Sequence, residues 1–63
     1  MSFGENLTRL LDERGVRRMD VAAAVGVTKA AITQFTNGET IPSLYTAGRI
    51  AAFFNVTLDE MMK

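Results

Sequence analysis

The chain has 63 residues, with no cysteine, no histidine, and seven basic residues balanced by seven acidic ones. This length allows one domain with a single core. The lack of cysteine and histidine excludes disulfides, the common zinc sites, and Ser–His or Cys–His nucleophile pairs. We therefore expect no metal, no cofactor and no enzymatic activity. The zero net charge argues against binding nucleic acid through bulk charge.

Membrane and secretion signals are absent from the sequence. No apolar run approaches the length of a membrane span, and the opening MSFGENLTRLLDERG lacks the basic-then-apolar order of a secretion signal. We therefore expect a cytoplasmic protein without a membrane partner. Hydrophobic residues make up 48% of the chain and only one residue is proline, which favours a single all-α domain over residues 1–63.

Two helices are predicted before the first tight turn. Ser2 and Glu5 fit a capping box that opens the first helix, and Gly15 ends it. Its apolar stripe at helical spacing comprises Phe3, Leu7, Leu10 and Leu11. A second helix is predicted over residues 18–25, ending at Gly26. Its inner face comprises Val21, Ala22 and Val25.

The third helix begins after Thr28, a suitable N-cap, and is predicted to run to about Thr36, where Asn37-Gly38 stops it. At about 100° per residue, one half of this helix is polar or small and the other half faces the core. The first half holds Lys29, Ala30, Thr33, Gln34 and Asn37; the second holds Thr28, Ala31, Ile32 and Phe35. A solvated face and a face directed at hydrogen-bonding partners are both open readings of the polar half.

Two further helices are predicted after the GETIP loop. Ser43 is a suitable N-cap for a fourth helix over about residues 44–54, and Asn55 suits its left-handed end. Thr57 and Glu60 repeat the capping box and open a short fifth helix, LDEMMK.

A tight Gly-Val-Thr turn joins the second and third helices, as in a helix-turn-helix, whose second helix can enter the DNA major groove. The residues RRMDVAAAVGVTKAAITQFTNGETIPSL resemble the helix-turn-helix of the lambdoid phage repressor and Cro family, also called the XRE family. The resemblance extends to VTLDEMM. It implies a compact five-helix, lambda-repressor-like DNA-binding domain, with the helix-turn-helix at about residues 18–37. It also implies a prokaryotic or phage-encoded protein, and the starting methionine leads us to expect a complete Cro-like protein.

The resemblance assigns roles by position. Lys29, Ala30 and Gln34 match positions that usually face bases, with Thr33 beside them. Gln34 suits adenine, Lys29 suits guanine, and the Ala30 methyl suits thymine. Contacts to phosphates, which fix the register without reading sequence, are implied for Arg17, Arg18, Thr28, Asn37, Thr40 and Ser43.

Arginines cluster where the first helix gives way to the second. Arg14, Arg17 and Arg18 would border the same DNA edge as Lys29 on a fold of this family. Simple solvation of a helix start is the alternative for Arg17 and Arg18.

The sequence departs from the family pattern at several positions. Glu39 stands where lysine or arginine is common, and its carboxylate would repel phosphate unless it points away. Leu11 and Thr36 replace a frequent buried ion pair, an exchange that need not reduce stability. Gly48 replaces a helix former in the fourth helix, at a cost of roughly 1 kcal/mol.

A partner subunit is expected because few basic residues neutralise few phosphates. Two copies on a pseudopalindromic operator, about one helical turn apart, would compensate. The apolar residues left after the core is filled predict a homodimer interface on the last two helices: Tyr45, Phe53, Met61 and Met62. Phe54 should pack inward while Phe53 stays partly exposed. A monomer with ordinary exposed apolar residues is the alternative.

Two functions remain open at this point. The first is sequence-specific binding of double-stranded DNA by a Cro-like transcriptional repressor that reads the major groove with its third helix, without a small-molecule substrate. The second is a helical protein-interaction module that keeps the fold but has lost DNA binding. The zero net charge and Glu39 favour the second.

Overall fold

Five α-helices provide all the regular secondary structure of residues 2–63, the part of the chain that this computed structural model describes. They are α1 (Phe3–Arg14), α2 (Arg18–Val25), α3 (Lys29–Asn37), α4 (Leu44–Phe54) and α5 (Leu58–Met62). The all-α prediction is confirmed, and α3 continues one residue beyond its predicted end. Among these residues no helix is long and apolar enough to cross a bilayer, and no three His, Cys, Asp or Glu side chains gather into a metal site.

Reciprocal hydrogen bonds between residues three apart define the starts of α1 and α5, as the sequence predicts. The Ser2 hydroxyl oxygen accepts from the Glu5 N–H at 3.1 Å, and the Glu5 carboxylate accepts from the Ser2 N–H at 3.0 Å. Thr57 and Glu60 make the same reciprocal pair at 3.1 and 2.9 Å. Asn55 ends α4 in the left-handed region at φ +58°, where asparagine is tolerated better than most residues.

The two capping-box glutamates should make folding sensitive to acid. Hydrogen bonds from the Ser2 N–H and hydroxyl lower the pKa of Glu5 below its ordinary 4.5, and Thr57 lowers the pKa of Glu60 in the same way. The unfolded carboxyls titrate near 4.5, so the stabilisation is complete above that pH and is lost as pH falls through the lower folded values. We expect urea unfolding to give a declining free energy of unfolding below about pH 4.5. The decline should be shallower in a Glu5→Gln/Glu60→Gln variant, and an equally steep decline there would contradict this origin.

The core lies where the five helices meet: α3 packs on α1 and α2, α2 also contacts α4, and α5 contacts α1 and α4. The predicted inner stripes of α1 and α2 are buried. Phe54 is buried as predicted, whereas its neighbour Phe53 is 38% exposed. The two phenylalanine rings meet edge to face with their centroids 5.0 Å apart. One side of α3 therefore packs on α1 and α2 and belongs to the core.

The prediction that Met61 lies on the surface is wrong. Its side chain is completely buried in the core. Leu58 and Met61 are three residues apart on α5, so both face inward, while Met62 points outward and is 56% exposed. Met61 therefore stabilises the subunit and is unavailable to an interface in this fold.

Two helical glycines have opposite surroundings. A Cβ on Gly4 would lie 2.5 Å from the carbonyl oxygen of Phe35, because the start of α1 approaches the end of α3 closely. A Cβ on Gly48 would meet nothing within 4 Å. In chemical denaturation we expect Gly48→Ala to raise the free energy of unfolding by about 1 kcal/mol. Gly4→Ala should lower it by roughly 1–3 kcal/mol through overpacking. Stabilisation by both alanines would contradict the close approach of α1 and α3.

Candidate nucleic-acid interface

The outward face of α3 carries the residues predicted to face bases. Lys29, Ala30 and Gln34 are exposed, and Thr33 is half-buried. On the opposite side of the helix, Ile32 is completely buried. The helix is therefore anchored by its apolar side, and the lysine–glutamine side is directed away from the core.

A three-residue turn holds α3 at a fixed angle to α2. The N–H groups of Gly26 and Val27 both donate to the Ala22 carbonyl, at 2.9 and 3.0 Å, which closes α2. The Thr28 hydroxyl oxygen then accepts from the Ala31 N–H at 3.0 Å and opens α3. The exposed Thr28 hydroxyl hydrogen can still donate to an acceptor such as a phosphate oxygen.

The starts of α2 and α3 enclose a groove of about 350 Å³ that contains three cationic side chains. We call it the cationic groove; its lining residues are Leu11, Val16, Arg17, Arg18, Met19 and Lys29. The arginines and the lysine are exposed, and none forms an ion pair within residues 2–63, whose single salt bridge joins Arg9 and Glu13 at 3.3 Å. The structure thus brings two predicted phosphate contacts beside a predicted base contact. The carboxylate of Asp20 lies at the same helix start, where it accepts from the Arg17 backbone N–H at 3.3 Å and pairs with none of these cationic side chains.

Negative charge lies at the other end of α3. The side-chain amide of Asn37 donates to the carboxylate of Glu39 at 3.2 Å, and both residues are exposed. Glu39 is therefore engaged by the very residue predicted to hold a phosphate. A phosphate arriving at Asn37 would have to compete with this carboxylate.

Thr40 and Ser43 are not brought together with the cationic groove. Both are exposed in the loop between α3 and α4. Ser43 caps α4, accepting from the Thr46 N–H at 3.2 Å. Thr40 borders a different hollow, which it shares with Phe3 and Ile41. Their predicted phosphate contacts remain predictions.

Arg14 does not line the cationic groove, contrary to the predicted arginine cluster. Its guanidinium donates to the Phe54 carbonyl at 2.9 Å, at the last turn of α4. Arg49 acts similarly on α2, donating to the Ala24 carbonyl at 3.0 Å. Each arginine satisfies a helix-end carbonyl that lacks an intrahelical partner. These partners are 40 and 25 residues apart in sequence, so no local pattern indicates them.

The family profile for helix-turn-helix proteins (HTH_3) matches residues 7–61 of this chain. The HTH-type transcriptional regulator DdrOP3 of Deinococcus deserti is 30% identical over the full length of the chain, which covers 49% of that protein. The HTH-type transcriptional activator BcrR of Enterococcus faecalis is 29% identical over 98% of the chain, which covers 30% of it. The chain therefore spans half or less of the length of these curated relatives.

The crystal structure of the P22 c2 repressor in complex with a synthetic operator has the same fold. The two superpose with a TM-score of 0.93 over all of this chain and 96% of that one, at 22% identity. This likeness confirms the predicted five-helix, lambda-repressor-like architecture. Since the family profile also covers nearly the whole sequence, the chain belongs to the helix-turn-helix family of lambdoid repressor and Cro type.

Proposed function

We propose that this chain binds double-stranded DNA sequence-specifically, as the DNA-binding part of a transcriptional regulator, and reads the major groove with α3. One observation carries the proposal: the exposed Lys29–Gln34 face of α3 lies beside Arg17 and Arg18, and none of these three cationic side chains forms an ion pair within residues 2–63. The names of the relatives, a transcriptional regulator and a transcriptional activator, support regulation as the setting. Repression is our expectation from the Cro-like resemblance.

The exposed face suits reading of base edges. Gln34 can pair with adenine through both ends of its amide, Lys29 can donate to guanine acceptors, and the Ala30 methyl can contact a thymine methyl. Thr33 is half-buried and is therefore the least accessible of the four. Arg17 and Arg18 from the cationic groove, and the Thr28 hydroxyl, would hold phosphates and set the register.

Selection of bound sequences from a random DNA pool, followed by a salt titration on the selected site, tests the proposal. We expect enrichment of a half-site and a log–log slope of affinity against salt of about −2 per bound domain, because Arg17 and Arg18 neutralise about two phosphates. A pool without any enriched sequence would overturn DNA reading. It would favour the other candidate, a protein-interaction module, which the zero net charge and Glu39 support.

Glu39 should weaken DNA binding because its carboxylate occupies the Asn37 amide and repels phosphate. We expect Glu39→Lys to raise the affinity for all DNA sequences and to steepen the salt slope by about one unit, since a lysine adds about one phosphate contact. Fluorescence anisotropy with selected and scrambled duplexes measures both effects. Glu39→Gln serves as the control: it keeps the shape, should raise affinity less, and should leave the slope nearly unchanged. Unaltered binding by both variants would place Glu39 outside the interface.

A homodimer on a pseudopalindromic operator extends the proposal. The exposed apolar side chains Ile41 and Leu44, at 81% and 76% exposure, lie with Met62 around a hollow of about 220 Å³ whose lining holds no charged residue. Protruding side chains beside an apolar hollow can fit a second copy of the same surface across a two-fold axis. Of the residues predicted for the interface, Met62 lines this hollow, whereas Tyr45 and Phe53 are exposed but do not line it.

The small size of the chain limits how stable such a dimer can be. A standard interface buries about 800 Å² per partner, which is roughly one fifth of the whole 3933 Å² surface. We therefore expect sedimentation to find monomers at micromolar concentration and two copies on a palindromic duplex. Leu44→Ser should reduce cooperativity and leave binding to a single half-site unchanged. If Phe53→Ser removes cooperativity instead, the interface lies on the other part of α4.

A further inference from the structure

Met19 places an exposed apolar side chain inside the cationic groove. It is 52% exposed and lines the groove beside Arg17, Arg18 and Lys29. It is not among the side chains packed against the core. Three other strongly exposed apolar side chains border hollows elsewhere on the surface: Ile41, Leu44 and Met62. Leu11 and Val16 also line the groove, but Leu11 belongs to the core and Val16 packs against it. Met19 is thus the one strongly exposed apolar side chain of the groove lining, and a surface that bound phosphates alone would gain nothing from it.

We propose that Met19 contacts a thymine C5-methyl group and is a specificity-determining residue of this interface, an inference that rests on the proposed DNA binding. The thymine methyl is the apolar feature that base pairs present in the major groove. A methionine side chain is unbranched and flexible, so it can adapt to such a target. Because Met19 and Lys29 line the same groove, the thymine lies close to the base pair that Lys29 contacts.

This role differs from that of its cationic neighbours in a measurable way. Arg17 and Arg18 would release counterions from phosphates, so their loss reduces the salt dependence of binding. Met19 carries no charge, so its loss should lower affinity without changing the salt slope. The expected loss is about four- to fifteenfold, as for removal of one or two buried methylene-sized contacts.

The experiment is a double-mutant cycle that combines a substitution in the protein with a substitution in the DNA. It uses a DNA duplex with a single half-site, so a second copy of the protein makes no contribution. Met19→Ala is measured against the selected duplex and against duplexes in which each thymine in turn is replaced by deoxyuridine, which lacks only the methyl group. We expect one deoxyuridine position to weaken wild-type binding as much as Met19→Ala does. At that position the variant should lose nothing further. Met19→Leu should retain most of the affinity, whereas Met19→Gln, similar in shape but polar, should behave as the alanine variant.

Met19→Leu is the matched control, because leucine keeps an apolar side chain of similar size at the same exposed position. Its half-site affinity should stay close to that of the wild type, and thermal unfolding should show all variants folded. An unchanged affinity for Met19→Ala, or an equal loss on thymine and deoxyuridine duplexes, overturns the proposal while DNA binding itself stands. If the wild type selects no sequence at all, the proposed function fails first and the role of Met19 falls with it.

Discussion

Replacing Lys29 and Gln34 together by alanine should remove most of the preference for the selected DNA sequence. Each well-placed side chain contributes about 1–3 kcal/mol of discrimination between bases. The ratio of affinities for selected and scrambled duplexes should therefore fall about 30-fold or more. Both side chains are exposed on α3 and leave the core untouched, so the free energy of unfolding should change by no more than about 0.5 kcal/mol. Fluorescence anisotropy and urea denaturation measure the two quantities.

A control separates base reading from the loss of a positive charge. Lys63→Ala removes the same charge outside the cationic groove and should leave the affinity ratio unchanged. Arg18→Ala should weaken binding to selected and scrambled duplexes alike, because a phosphate contact does not depend on sequence. If the Lys29→Ala/Gln34→Ala variant also loses affinity equally for both duplexes, its side chains position the domain and do not read bases. The assignment of α3 as the reading helix would then be wrong.

Asn6→Ala should be the most damaging substitution of a polar residue in this chain. Asn6 is only 2% exposed, and its side-chain amide donates to the carbonyls of Met61 and Lys63 at 2.8 and 3.0 Å. Its side-chain oxygen accepts from the Arg9 guanidinium at 3.1 Å. Alanine would leave the buried Met61 carbonyl unpaired and open a small void, at a cost of about 2–4 kcal/mol. A domain of this size has a total stability of only about 3–9 kcal/mol.

Urea denaturation of Asn6→Ala and Asn37→Ala tests this expectation with the same substitution at two sites. Asn37 is exposed, and the hydrogen bond that its side-chain amide makes within residues 2–63 goes to the carboxylate of Glu39, so its removal should cost about 0.5 kcal/mol or less. Asn6→Ala should in addition speed amide hydrogen exchange in α5, which Asn6 ties to α1. Similar stabilities for the two variants would show that the Asn6 contacts contribute little.

The helices and the two-sided character of α3 follow from short-range patterns. Ser2, Thr28, Ser43 and Thr57 all accept from an N–H three residues later, so each predicted cap depends only on neighbouring sequence. The helical period alone places Ile32 inside and Lys29 outside. This is why the helix ends and the exposed α3 face could be predicted from residues alone.

The residues that line the cationic groove, and the contacts that the sequence did not predict, depend on side chains that are distant in sequence. Arg14 leaves the arginine cluster because a carbonyl 40 residues away accepts from it. Asn6 holds the end of a helix whose carbonyl is 55 residues away.

By itself, the sequence determined the five helices, the N-caps of four of them and the outward lysine–glutamine face, because caps and helical periodicity act within a few residues. Only the tertiary structure decided that Met61 is buried, that Arg14 serves α4, and that Met19 joins Lys29 in one groove. Packing between helices sets these positions, since it brings together side chains that no local pattern relates.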